Sequence, residues 1–254
     1  MTKKKVTPSK ESAAQGAKTL RDQIEKTSSR KSYVLDLKVN SPASLGYLGI
    51  DGLDSAPAIV RLSKVKGLDV IAITDLYSAD FVDRLVEAAT GSPLTVIPGV
   101  TIRCKVGACD DVVMSCLFPE NTTTNTINTF LAQLGVPASA KGRPSHILAA
   151  SLGQIVSLLD SYQGVAIPTR IDKTPNRLAV LPELVEVHGF RAFDLAYGDS
   201  ESIFKKRWPK VKFQLFSFSD ANALAQIGSR IARVKMSEPG FAGIREIVAR
   251  QQVS

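Results

Sequence analysis

A set of polar residues stands where strand-like apolar runs give out, and their types limit the chemistry this chain could do. Lys38 and Asn40 end the run that begins at Tyr33, Asp75 follows Ile71-Ala72-Ile73-Thr74, and Thr101 follows Val96 to Val100. Arg170 comes after Ala166-Ile167, and Asp220 and Asn222 come after Phe216-Ser217-Phe218. Asp75 and Asp220, helped by the amide oxygens of Asn40 and Asn222, could hold one hard cation such as Mg²⁺ or Mn²⁺, which would polarise a phosphoryl oxygen and activate water. Lys38 and Arg170 suit different chemistry, because fork and point-charge donors recognise a phosphate or carboxylate, or pair with the two aspartates. Arg103 could join them in a cationic mouth.

Charge decides between these uses. A unit charge about 4 Å from another costs or gains on the order of 4 kcal/mol at an effective dielectric near 20, and twice that against a dication. At ~1.4 kcal/mol per tenfold, two cations beside a metal position would weaken metal binding by several powers of ten. Lys38 and Arg170 also balance Asp75 and Asp220 without any ion, so the expectation is a metal-free pocket locked by these pairs. The only histidines are His146 and His188. His146 follows Arg143-Pro144-Ser145 and His188 precedes Gly189, both turn-like settings that favour structural or solvated roles over acid–base catalysis. Neither a Ser-His-Asp spacing nor a Walker or dinucleotide glycine loop is present.

Elements that would carry these residues to one place alternate along the chain. β-Branched runs near 33–37, 69–74, 94–97, 112–118, 164–167, 192–196, 212–216 and 231–234 read as strands. Between them, helical patterns are expected from Ser55 as a cap to Gly67, from Ser78 as a cap to Gly91, and over 126–134, 152–162, 178–185, 200–208, 222–229 and 241–250. About seven strand–helix pairs around a parallel sheet make an α/β barrel, in which loops after the strands gather at one mouth. The polar residues above would then converge.

The 254 residues suffice for one barrel domain over 32–254. Net charge is +8, of which +6 lies in residues 1–31, a Lys-, Ser- and Ala-rich tail expected to be partly disordered, with a short polar helix over 17–26 as its one candidate element. Such a tail attracts nucleic acid, an acidic protein or anionic lipid, or simply keeps the chain soluble. The absence of an apolar signal segment and of a ~20-residue apolar run excludes a membrane span and points to the cytoplasm, with no membrane partner expected. Cys104, Cys109 and Cys116 are odd in number and crowded, as reduced thiols would be. The run Lys205-Lys206-Arg207-Trp208, preceded by Phe204, offers phosphate contacts and a stacking ring to RNA.

Four segments resemble the PHP (polymerase and histidinol phosphatase) metal-dependent phosphoesterases: Asp36-Leu37-Lys38-Val39-Asn40, Gly67 to Leu76, Val96 to Thr101, and Phe218-Ser219-Asp220-Ala221-Asn222. In that family they read Asp-Leu-His-x-His, Gly-Leu-Asp-x-Ile-Ala-Ile-Thr-Asp-His, Ile-Pro-Gly-x-Glu and Ser-Asp-Ala-His, and their side chains bind two or three metals. The resemblance implies a distorted TIM-like (β/α)7 barrel of the PHP type. It also implies that ligands have been exchanged: histidines for Lys38, Asn40, Leu76, Val113 and Arg170, and a bridging glutamate for Thr101. Asp75, Asp220 and, more weakly, Asn222 remain. The implied protein is a pseudoenzyme with no cofactor. It would act as a structural or binding subunit with a protein partner, its former metal pocket filled by Lys/Arg–Asp pairs or by an anion. Two alternatives stay open: a phosphoesterase with a single Mg²⁺ or Mn²⁺, and an RNA-associated subunit, since a degraded relative of this barrel serves in ribonuclease P.

Overall fold

The computed structural model describes residues 30–251; of the tail expected at 1–31, residues 1–29 with the candidate helix lie outside them, and Lys31 already belongs to the first strand. Eight strands form one sheet: β1 (Lys31–Val39), β2 (Val70–Ile73), β3 (Thr95–Val106), β4 (Cys109–Leu117), β5 (Val165–Thr169), β6 (Ala192–Asp194), β7 (Gln214–Phe216) and β8 (Ala232–Met236). Their order is β7-β6-β5-β4-β3-β2-β1-β8. The chain beyond β7 curls back on the end of β1 and the loop after it through parallel bridges from Ala221 to Val39 and from Ala223 to Leu48, which nearly closes the sheet into a distorted TIM-like barrel.

Helices α1 (Ser55–Val65), α2 (Val82–Ala89), α3 (Thr124–Gln133), α4 (Leu152–Ser161), α5 (Pro175–Ala179), α6 (Glu201–Arg207) and α7 (Phe241–Val248) complete the described domain. Side-chain caps start several of them, because the first N–H groups of a helix have no internal partner. Ser151 and Gln154 form a reciprocal capping box on α4, and Thr123 caps α3. Two apolar layers result. Ile59, Ile71, Ile73, Leu85, Phe130 and Ile155 fill the space between sheet and helices. Leu35, Leu37, Val70, Ala72, Ile97, Leu117 and Ile167 fill the barrel interior, where α7 adds Phe241, Ile244 and Val248. Cys104, Cys109 and Cys116 are buried free thiols on β3 and β4.

Several expectations need correction. The sheet is not all parallel: β4 returns antiparallel beside β3 through a turn at Gly107 (φ +51°), and β8 runs antiparallel to β1. The mouth end of β4 is therefore its beginning, so Val113 lies opposite Arg103 on one side and Thr169 on the other. β3 does not stop at residue 97, and Thr101 sits inside it, bridged to Leu76. Asp54, not Ser55, caps α1. Ser78 accepts from the Asp80 N–H and holds the turn before α2 instead of capping it. The stretch 178–185 splits into α5 and a π-helical turn (Glu183–Val187), since Pro182 has no N–H to continue the ladder. Of 222–229 only a single 3₁₀ turn, Leu224–Gln226, is helical.

Candidate functional site

One irregularity in β1 makes the site. Asp36 pairs with Ile71, but Val39 pairs with Ile73, so β1 takes in one extra residue. Leu35 and Leu37 face the barrel interior, whereas Val39 packs in the outer layer. The bulge shifts the alternation and turns Lys38 inward, as bulges do beside functional sites. At 5% exposure, Lys38 is a buried lysine, and such a lysine needs a partner.

That partner is Asp220. Lys38 Nζ lies 3.3 Å from Asp220 Oδ1, and Arg170 Nη2 lies 3.4 Å from Asp220 Oδ2. Lys38 also donates to Thr101 Oγ1 at 3.3 Å, and the Thr101 hydroxyl in turn donates to the Thr74 carbonyl at 2.8 Å. Burial pushes the Asp220 carboxyl up, but Lys38 and Arg170 outweigh it and hold it below the ordinary carboxylate value. Arg170 (φ +52°) and Asp220 (φ +53°) both occupy the left-handed region, a conformation that costs a non-glycine residue about 1–2 kcal/mol and clusters at functional sites.

Asp75, expected to share these cations, does something else. It accepts from the Ser41 N–H at 2.7 Å, from Ser41 Oγ at 2.6 Å and from Ser44 Oγ. Burial raises its carboxyl above the ordinary value, only partly offset by these serines. It thus anchors the start of the loop after β1, and the expected second pair is absent because hydroxyl and N–H donors have taken its oxygens. Asn40 donates to the Ala221 carbonyl at 3.1 Å and fastens β1 to the returning chain. Asn222 donates to the Asp220 carbonyl at 3.4 Å.

A second cluster sits beside the first. Arg103 Nε donates to Asp111 Oδ1 at 2.7 Å and Arg177 Nη2 to Asp111 Oδ2 at 2.7 Å. Burial works against the Asp111 anion, but the two guanidiniums hold its carboxyl below the usual range. Arg177 also donates to the Arg170 carbonyl at 3.3 Å, which ties the clusters together. Asp111 and Arg177 were not legible as site residues; the Thr174-Pro175 cap and first helical turn that present Arg177 were the only signal. Asp194, at the end of β6, carries no sequence signal either. It accepts from Thr169 Oγ1 and from the Phe218 N–H at 2.9 Å, and burial pushes its carboxyl up to about 6.

The two cation clusters, without Asp75 and Asp194, line a cavity of about 470 Å³ at the mouth. Its charged walls are Lys38, Arg103, Arg170, Lys173 and Arg177 against Asp111 and Asp220, with Thr101, Asn40 and Asn222 also lining it. Leu45, Leu76, Val113 and Pro144 supply apolar surface. Each aspartate is shared between two cations, leaving an excess of positive charge. Arg170 Nε and Nη1 are buried and have no hydrogen-bond partner among the described residues.

The donor set does not fit a divalent metal. Asp220 is occupied by two cations, Asp75 accepts three hydrogen bonds from Ser41 and Ser44 and does not line the cavity, and the Leu76 and Val113 side chains offer no lone pair. Among the described residues no group of three or more His, Cys, Asp or Glu side chains is placed to hold one.

The remaining candidates lie elsewhere. The His146 ring packs edge-on against Tyr77 at 5.1 Å. His188 lies 3.8 Å from Glu183, and burial lowers its pKa despite that carboxylate. Phe204 is fully buried, and Trp208 packs on Phe204 and Phe213 while donating to Glu186 Oε1 at 3.0 Å. Both rings are thereby committed to the core edge. Lys205, Lys206 and Arg207 remain exposed, with Lys205 paired to Glu201 at 2.9 Å.

No family model and no curated protein sequence matches the chain. Solved structures do. The lesion-specific endonuclease Q of Pyrococcus furiosus superposes with a TM-score of 0.62 at 15% identity over 86% of this chain. The chain spans 56% of that protein's length. A two-domain protein of Bacteroides vulgatus containing a predicted PHP-like metal-dependent phosphoesterase gives 0.57 at 13% identity, covering 87% of this chain and 63% of that one. An amidohydrolase of Chromobacterium violaceum, with bound sulfate and no metal, gives 0.52 at 14% identity over 82% of this chain and 99% of its own. No described helix is long and apolar enough to cross a membrane. Barrel, strand order and these neighbours agree on the architecture: the chain has the fold of the PHP-type barrels.

Proposed function

We propose that this chain is a non-catalytic PHP-type barrel whose mouth binds a phosphate-like anion on protein cations in place of metals. The observation that carries this reading is the sharing of carboxylates: Asp220 serves Lys38 and Arg170, and Asp111 serves Arg103 and Arg177. Among the residues that line the cavity, Lys38, Arg103, Arg170, Lys173 and Arg177 outnumber Asp111 and Asp220, while Asp75 and Asp194 behind the wall offset Lys38 and Arg170 in part. Cations in excess of the carboxylates in the lining favour an incoming anion, and Arg170, which lines the cavity, has two donor atoms without a partner among the described residues.

Catalysis of ester hydrolysis at this mouth would need an activated water. The lining offers neither a histidine nor a free carboxylate to act as base, and the metal positions of the resembling family carry Lys38, Leu76, Val113 and Arg170. The chemistry available is therefore recognition of charge and shape.

Calorimetric titration of the full chain with inorganic phosphate in chelated buffer tests this. Binding that weakens at least tenfold in Arg170→Ala, with no phosphomonoesterase turnover after Mg²⁺ or Mn²⁺ is added, is the expected result. Stoichiometric metal retained through purification together with turnover of a phosphate ester would overturn it.

A further inference from the structure

The loop that follows β1 is apolar where it should not be. Leu45, Leu48 and Ile50 are 69%, 67% and 59% exposed, and Leu53 follows at 44%. Among the described residues they are the most exposed large apolar side chains close together in sequence. Scattered exposed apolar residues need no explanation, but a run on one loop marks a contact surface.

The loop is held firmly in place. Ser41 and Ser44 anchor it on Asp75, the Leu48 N–H donates to the Asn222 carbonyl at 2.7 Å, and the Leu53 N–H donates to the Ile50 carbonyl at 3.1 Å. Gly46 (φ +80°) and Gly52 (φ +74°) allow the turns that push the apolar side chains outward. Exposure here is built into the backbone.

The same loop forms the rim of the cation-lined cavity. Ser44 and Leu45 line that cavity, and Leu45 lies against Gly142, whose N–H donates to the Leu76 carbonyl at 2.8 Å. Exposed Lys173 lines the same cavity, and exposed Arg143 lies in the chain between two of its lining residues, Gly142 and Pro144. A partner that satisfies all of this presents a negative phosphate within a few ångströms of apolar surface. A bilayer of anionic phospholipid does so, with its headgroup phosphate beside its acyl boundary.

We infer that the mouth docks on an anionic phospholipid surface, the cavity taking a headgroup phosphate while Leu45, Leu48 and Ile50 enter the acyl boundary. The inference rests on the anion reading above and names the source of the anion. Two weak signals are required for such attachment, an apolar insertion and an electrostatic one. Asp51 beside Ile50 sets the depth: the loop tip can reach the headgroup boundary, but full burial would strand that carboxylate.

Flotation of the full chain with vesicles of phosphatidylcholine alone, and of phosphatidylcholine mixed with phosphatidic acid, tests the inference. Binding to the mixed vesicles at least tenfold stronger than to the neutral ones is expected. Leu48→Glu/Ile50→Glu, two exposed positions that leave the core intact, should reduce that binding at least tenfold, and Arg170→Ala should reduce it as well. Equal binding to both vesicle types overturns the inference. So does binding unaffected by Leu48→Glu/Ile50→Glu, which would leave the tail alone as the anchor. Calorimetric phosphate binding with no vesicle binding overturns this inference only, whereas failure of both removes the anion reading too.

Discussion

Lys38 Nζ lies 3.3 Å from Asp220 Oδ1 across the barrel mouth, joining the bulge of β1 to the chain that returns after β7. The pair crosses the one seam that β-sheet hydrogen bonding closes only through isolated bridges, so it serves closure as well as charge. Lys38→Met should destabilise the fold by about 1–3 kcal/mol, because Asp220 keeps Arg170 but loses a charged donor in a poorly solvated place. Combined with Asp220→Asn, the loss should be smaller than the sum of the single losses. Urea denaturation of the four proteins measures that coupling.

Asp194 gives stability a pH dependence of known sign. Its folded carboxyl is raised by burial to about 6, above the 3.8 of the unfolded chain, so the folded state holds more protons between these values. Its contribution is full below about pH 4 and is lost as pH rises through 6. Asp194→Asn keeps an acceptor for the Phe218 N–H and carries no charge. The difference in unfolding free energy between Asp194→Asn and the parent should therefore shift in favour of the variant by roughly 2–3 kcal/mol between pH 4 and pH 7. A difference that stays constant across that window would refute the assignment.

Gly99 has no room for a methyl group. A Cβ there would meet Thr74 Cγ2 at 2.9 Å and the backbone oxygens of Cys116 and Ile73 at 3.0 Å each. Backbone on both sides cannot move without breaking β2–β3 or β3–β4 pairing. Gly99→Ala should cost about 1–3 kcal/mol by thermal or chemical unfolding.

Trp208 is the single tryptophan of the chain and lies in an aromatic cluster with Phe204 and Phe213. Trp208→Ala should destabilise by about 3 kcal/mol, whereas Lys206→Ala, at an exposed position, should stay within about 0.5 kcal/mol. If the stacking ring served RNA alone, Trp208→Ala would leave the unfolding midpoint unmoved.

Ligand effects on the melting temperature separate anion from metal. Inorganic phosphate at a hundred times its dissociation constant should add about 2.7 kcal/mol of stability. Mg²⁺, Mn²⁺ or chelator should leave the midpoint where it is, since Asp220 and Asp75 already have their partners.

The amino-acid order alone determined that strand-like runs end in Lys38, Asp75, Arg170 and Asp220, that helices lie between them, and that a barrel would bring those ends together. Local patterning carries this much because strand alternation, helix periodicity and turn glycines are properties of neighbouring residues. That these strand ends carry Lys38, Leu76 and Arg170 and no histidine was equally plain, being a matter of residue type. Only the tertiary structure decided who pairs with whom. Asp75 and Asp220 look alike in sequence, yet Ser41 and Ser44 reach one and two cations reach the other. The inward turn of Lys38 depends on a bulge set by its register against β2, which no periodicity reveals. Asp111 joined the site because β4 runs backwards and brings its beginning to the mouth, where Arg177 meets it across 66 positions of chain. Charge partners and strand direction are long-range choices, settled by packing once the whole barrel has closed.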